Sequence, residues 1–443
     1  MIAIKYVAGA LLFGLAGLVQ AGIPIQHWTQ PSGAGVWLVE SPTVPMVDVR
    51  IEFDAGGRRD PAAQAGLTAA SVGLMSKGIR ANGGDPALDE NALGEAWADL
   101  GASFGGSDGG DRVSFSLRSL IYPDLLARAA TLAARQLAEP AYLQAVWTRE
   151  RERTVAALRE ANTRPATIAG RTFNQAVFGS HPYGNDTNEQ SLARISVADM
   201  QAWHARYLKP CRAKVSIVGA VTRAQADALV TQLLARLPAA ACEALPPVAE
   251  VQPLSVAVEK RIPFDSAQAH VLIGQPGFKR DDPDFFILTV GNYILGGGGF
   301  VSRLTEEVRE KRGLSYSVYS YFNPGLHAGA FTIGLQTRPD QAAQAVQVAR
   351  EVLRRFVTDG PTPAELKAAK DNLVGGFALR IDNNRKLLDN VANIAAHNLP
   401  LDYLDTWTQQ VAKVTVADIR AAFARKLQPE RMVTVVVGGR DGQ

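Results

Sequence analysis

Residues 195–219, ISVADMQAWHARYLKPCRAKVSIVG, align without a gap on residues 414–438, VTVADIRAAFARKLQPERMVTVVVG, and 11 of the 25 aligned positions are identical. The offset is 219 residues (414 − 195). A solenoid unit is a single supersecondary element of about 20–50 residues, so a period this long means a duplicated domain. Both copies carry the same local signals. Ser196 and Thr415 each offer a hydroxyl to first-turn amides. Pro210 and Pro429 stop the helix, and an apolar run after each proline reads as a buried strand.

The duplication sets the expected organisation: a leader at 1–21, an N-terminal half at 22–238, a Pro- and Ala-rich seam at 239–254 and a C-terminal half at 255–443. Alternating apolar runs predict strands at 36–40, 47–53 and 112–117 in the first half, and at 255–260, 269–273, 315–321 and 330–336 in the second. Helical spacing predicts helices at 63–75, 123–137 and 146–161, then at 283–294, 339–356 and 363–388. Runs of strands next to runs of helices indicate an α+β fold, with two homologous domains, each a mostly antiparallel sheet carrying helices on one face. With 47% hydrophobic residues the chain can build large cores. With a net charge of +3 and basic residues clustered only at Arg309, Lys311 and Arg312, where a helix end accounts for them, nothing points to a nucleic-acid partner.

The chemistry-bearing segment is 296–320, GGGGFVSRLTEEVREKRGLSYSVYS. Glu306 to Arg309 form a good helix-forming run, Lys311 and Arg312 suit the negative end of that helix, and Gly313 is a natural residue to end it. Arg309 is then expected in the last helical turn and Tyr316 on the strand returning from it, pointing into one space. A guanidinium and a phenol so placed can donate hydrogen bonds to a peptide carbonyl, or to the oxyanion formed when it is attacked. Taken alone, the spacing favours the plainer reading, a dipole-matching arginine and a half-buried strand tyrosine. The four glycines have no G-K-[ST] after them, so they are no phosphate loop; Gly296, Gly297, Gly298 and Gly299 are candidates for a substrate-side loop.

Ser302, Arg303, Leu304, Arg309, Gly313, Leu314, Tyr316 and Val318 match the signature of the pitrilysin/insulinase family of zinc peptidases, which this segment resembles. The resemblance extends over nearly the whole chain beyond the leader. It implies two domains per chain and an active unit of four, so that short members pair. The Arg/Tyr pair would bind the scissile carbonyl.

Peptide-cleaving members carry H-x-x-E-H, two histidines on one helix face holding zinc with a glutamate base between them. Counting from Gly66 and Leu67, these positions fall on Ala69, Val72 and Gly73, none with a lone pair for a metal. The distal glutamate position falls on Ala157, in a register good to about a residue, with Glu160 nearby. Of six histidines the closest two in sequence, His181 and His204, are 23 residues apart (204 − 181). No metal site is therefore expected in this chain, and zinc is expected in a partner.

The first 21 residues hold one cation, Lys5, an apolar run, and the small-residue pattern Val19-Gln20-Ala21. This reads as a secretory signal peptide cleaved after Ala21, giving a periplasmic chain with no stable membrane anchor. In such a compartment Cys211 and Cys242 are either bridged, closing a 31-residue span worth roughly 3 kcal/mol, or two buried thiols. His181-Pro182-Tyr183-Gly184 reads as a structural loop, and Arg303 as a loop anchor, a substrate-side cation or a solvated helix residue. The combined expectation is the non-zinc subunit of a periplasmic heterodimeric endopeptidase, supplying Arg309 and Tyr316 to a homologous H-x-x-E-H chain and acting on peptides or unfolded polypeptide. The alternative is a catalytically inactive, homodimeric peptide-binding or structural protein.

Overall fold

The structure, a computed structural model, describes residues 22–239 and 241–439. The expected leader and its cleavage site lie outside these residues. The N-terminal sheet has six strands: β1 (Gln26–Thr29), β2 (Gly35–Glu40), β3 (Met46–Phe53), β6 (Ser103–Asp108), β7 (Val113–Leu120) and β8 (Lys214–Gly219). A separate short hairpin pairs β4 (Gly78–Ile79) with β5 (Leu88–Asp89). The C-terminal sheet has β9 (Val258–Ile262), β10 (Ala269–Pro276), β11 (Ser317–Phe322), β12 (Ala330–Thr337) and β13 (Val433–Val437).

The strand orders are β1-β2-β8-β3-β7-β6 and β11-β12-β10-β13-β9. Read from opposite ends, and setting β1 aside, the two sheets have one topology. The single parallel pair of each, β2 with β8 and β9 with β13, occupies the same place, and the other pairs are antiparallel. The sequence repeat supplies the helix and strand that enter each parallel pair, Val197–Tyr207 with β8 and Val416–Lys426 with β13. Reciprocal side-chain caps begin both helices, Ser196 with Asp199 and Thr415 with Asp418.

Period-two alternation sorts the side chains between cores. On β3, Val47, Val49, Ile51 and Phe53 enter the N-terminal core beneath that half's own helices, while Asp48, Arg50 and Glu52 share the opposite face. On β2, Val36 and Leu38 join the same core, but Trp37 and Val39 pack with the C-terminal core. The reason is an exchange of helices. Asn384–His397, from the C-terminal half, lies across β8, β3 and β2, and Pro165–Phe178, from the N-terminal half, lies across β10 and β13. These two helices are themselves 219 residues apart (384 − 165 and 397 − 178), so they are the equivalent element of each repeat. Each sheet therefore has its own helices on one face, as the sequence led us to expect, and the other half's crossing helix on the second. A third core forms there from Phe173, Val177, Val433, Val435 and Val437.

Polar contacts fasten the exchange. The last turn of Asn384–His397 presents unpaired carbonyls, which attract cations. Lys214 Nζ donates to Ala395 O at 2.6 Å and to Asn398 Oδ1 at 2.6 Å, and Arg112 donates to Ala396 O at 2.5 Å. Arg50 pairs with Asp389 at 2.6 Å. Between the halves, residues 238–257 run without helix or strand (residue 240 aside). Cys242 in this stretch is bridged to Cys211, Cα atoms 6.2 Å apart, which decides between the two readings the sequence left open.

Candidate functional site

Thr305–Glu310 forms a wide, π-helical turn with Arg309 in its last part. Gly313 follows at φ +61°, and the Leu314 amide closes the end by donating to Val308 O at 3.0 Å. This return brings Tyr316 back over Arg309. The guanidinium carbon lies 5.0 Å from the Tyr316 ring centre and 4.7 Å from that of Phe300, so the cation is held between two aromatic faces. Arg309 Nε also pairs with Glu310 at 3.2 Å. Tyr316 precedes β11 rather than lying on it, which leaves it free of the sheet's packing and 80% exposed.

The glycines are explained by local geometry. A Cβ on Gly296 would stand 2.4 Å from Ser320 Oγ, on Gly297 2.8 Å from Asn292 Nδ2, and on Gly298 2.7 Å from Tyr293 O. Gly299 has φ +62°. Their smallness lets the loop close on Asn292, Tyr293 and β11 and present Phe300 above Arg309. Ser302 anchors the far side, its hydroxyl donating to Gly299 O at 2.7 Å. Arg303 is a loop anchor: it donates to Glu365 Oε1 at 2.6 Å and to Gly360 O at 3.0 Å. Burial alone would raise the Glu365 carboxyl, but the bonds from Arg303 and Thr362 outweigh it and hold it at about 2.

Neither Arg309, Tyr316 nor any of the four glycines borders the cavity between the halves, which measures about 800 Å³. Its walls are charged, coming from the polar face of β3, the start of β7 and the end of Asn384–His397. Burial pushes the Glu52 carboxyl up, against the opposing field of Arg112. Burial, with Arg112 adding to it, pushes the neighbouring Lys214 amine down to about 8. Burial, then Arg280 and Arg112, pushes the His397 imidazole down to about 4. Asp111 spans the halves, accepting from Tyr183 Oη at 2.7 Å and from the Leu326 amide at 2.8 Å. His181 is a buried loop residue whose Nδ1 accepts from the Tyr183 amide at 3.1 Å.

Ala69, Val72 and Gly73 lie on the helix Leu67–Leu74, which starts at Gly66 with φ +98°. Asp60 holds that start, accepting from Thr68 Oγ1 at 2.6 Å and from the Gly66 amide at 3.1 Å. Ala69 and Gly73 face a cleft against the helix Gln144–Ala161, while Val72 is turned into the core. The residues of the second helix that line this cleft are Trp147, Glu150 and Thr154. Ala157, where the sequence register placed the distal position, lies one turn further on, exposed and outside this cleft, whose one glutamate is Glu150. The donor set does not fit zinc: one glutamate faces an alanine and a glycine. Among the described residues, no three His, Cys, Asp or Glu side chains come together as a metal site.

The family described as "Peptidase M16 inactive domain" matches residues 194–373. A crystal structure of a peptidase M16 inactive domain from Pseudomonas fluorescens superposes with a TM-score of 0.88 at 32% identity, over 95% of this chain and 98% of that one. The chain belongs to the M16 peptidase family. An uncharacterized zinc protease of Mycobacterium leprae is 29% identical over 280 residues, 62% of either chain, so the match spans about three-fifths of that relative. A Helicobacter pylori protein named a non-peptidase homolog is 26% identical over 426 residues, 94% of either chain. The M16 fold also appears in the periplasmic protease PqqL of Escherichia coli, with a TM-score of 0.77 at 18% identity; the match covers 99% of this chain and 49% of that one. Among the described residues no helix is long and apolar enough to cross a membrane.

Phe300 and Glu150 are the site residues that sequence reasoning passed over. Phe300 carried a signal, being a large apolar residue directly after four glycines. Glu150 carried none beyond a helical register that several glutamates fit.

Proposed function

We propose that this chain is the non-zinc subunit of a heterodimeric M16 endopeptidase working in the periplasm. It supplies Arg309 and Tyr316 to a peptide held at the metal of a homologous H-x-x-E-H chain. The observation that carries this reading is the outward Arg309–Tyr316 pair, stacked under Phe300, in a chain whose own Leu67–Leu74 helix offers no metal donor. Groups exposed in this way suit a substrate presented by another chain. The guanidinium, always charged, and the phenol hydroxyl each donate to the carbonyl oxygen, and their hydrogen bonds strengthen as charge builds there. The substrate class is peptides or unfolded segments of polypeptide.

The test is reconstitution. Purified without a tag, the chain should hold no stoichiometric zinc and cleave nothing. Mixed with the H-x-x-E-H chain from the same source, it should co-elute as one complex that cleaves unstructured peptides. One tightly held zinc per isolated chain, or activity of the zinc chain alone equal to that of the mixture, would contradict the proposal. A second reading, a catalytically silent peptide-binding homodimer, is favoured by the end-to-end likeness to the Helicobacter pylori non-peptidase homolog. It predicts self-association and no gain of activity on mixing.

A further inference from the structure

The cleft between helices Leu67–Leu74 and Gln144–Ala161 is a half-open pocket of about 210 Å³. Its floor is Trp147, which is buried and fixed by an indole N–H donating to Ile195 O at 3.0 Å. Ala70, Leu74 and Leu192 form apolar walls. At the mouth, Ala69 and Gly73 leave room rather than fill it, and a Cβ placed on Gly73 would meet nothing within 4 Å. Polar groups line it as well: Thr154, Thr187, Lys77, which pairs with Glu90 at 2.5 Å, and Glu150, which pairs with Arg149 at 2.8 Å. An apolar cavity of about 150 Å³ already accepts a benzene ring, so this one has space for a phenyl or leucyl side chain.

The pocket is not isolated. Gly66, Ala69 and Thr187 line both it and the charged cavity between the halves. A ligand could therefore place an apolar group in the pocket while a polar chain lies along the cavity. A pocket walled by apolar side chains that opens onto a polar trough suits one chemistry, a peptide with a bulky apolar residue.

We propose that this pocket is a side-chain subsite of the chain itself, selecting peptides with an aromatic or branched aliphatic residue where a metal-bearing chain would have its ligands. The inference rests on the reading of the chain as a peptide-handling protein, and it requires neither the partner nor turnover.

The experiment is calorimetric titration of the purified chain with acetyl-Ala-X-Ala-amide, with X as Gly, Leu or Phe. Burial of the side chain should make the Leu and Phe peptides bind roughly tenfold or more tighter than the Gly peptide. Gly73→Leu, which fills the pocket from a position with free space and improves helix propensity, should fold with an undiminished melting temperature and bind all three alike. Ala69→Met is the second filling variant and should do the same. Equal affinity for the three peptides, no binding of the Phe peptide at millimolar concentration, or retained selectivity in both filling variants would overturn the proposal. Selective binding without turnover in the reconstituted complex would leave this inference standing and remove the proposed function, and turnover without selective binding would do the reverse.

Discussion

Replacing His397 with glutamine should flatten the acid limb of this protein's stability. His397 ends the crossing helix Asn384–His397, on the wall of the cavity between the halves. Burial, then the charges of Arg280 and Arg112, lowers its imidazole from 6.5 to about 4. A base whose folded pKa is depressed gives stability that is whole above the unfolded value and lost as pH falls toward the folded one. The window here is therefore about pH 6.5 down to about pH 4. The full displacement corresponds to about 3 kcal/mol, and since the ring is only partly buried solvent screening reduces this to about 2 kcal/mol. Asp60 acts in the opposite direction. Burial raises its carboxyl to about 6, so its contribution is present at low pH and is lost as pH rises through that value. The wild-type curve thus sums opposing slopes, and the informative quantity is the difference between variant and wild type. Urea unfolding at a series of pH values in this window measures it. The wild type should lose about 2 kcal/mol more than His397→Gln on acidification. Parallel curves would show that the imidazole is not held neutral between the two arginines, and would refute the electrostatic account of this junction.

Other consequences follow from local geometry. Gly296→Ala should destabilise the chain by about 1–3 kcal/mol through overpacking against Ser320, read as a lowered urea midpoint. Replacing Cys211 and Cys242 by serine opens a 31-residue loop and should cost about 3 kcal/mol, visible as the same loss on adding reductant to the wild type. Phe300→Ala should leave the melting temperature unchanged, because the ring is 71% exposed, yet should lower turnover of the reconstituted complex by loosening Arg309.

Much of the fold is legible in the sequence because the signals are local. The capped helix, proline and apolar strand at 195–219 recur at 414–438, and the structure makes them equivalent elements. The helix expected at 363–388 is instead two, Pro363–Gly375 and Asn384–His397, parted at Gly375-Gly376 and restarted by an Asn383 cap. Helical periodicity hid a break that the glycines and the asparagine do encode. The exchange of crossing helices had no local signal at all, since Asn384 and Pro165 meet strands far away in sequence. Nor did the cavity charges: Arg50, Glu52 and Arg112 read as ordinary strand-face residues until the opposite half is laid over them. Arg309 and Tyr316 were legible as a pair, but the aromatic sandwich with Phe300 depends on how the glycine loop closes.

The central claim is that Arg309 and Tyr316 act on a peptide presented by another chain. Its most direct measurement is turnover of the reconstituted complex with Tyr316→Phe, which removes one hydroxyl and keeps the ring, and with Arg309→Lys, which keeps charge and loses the planar fork. Removing an oxyanion donor costs about a hundred- to a thousandfold in turnover. Each variant should therefore fall by about that factor while still co-eluting with the zinc-bearing chain. Near-wild-type turnover in both variants would make the pair structural and leave the peptide-binding homodimer as the better account.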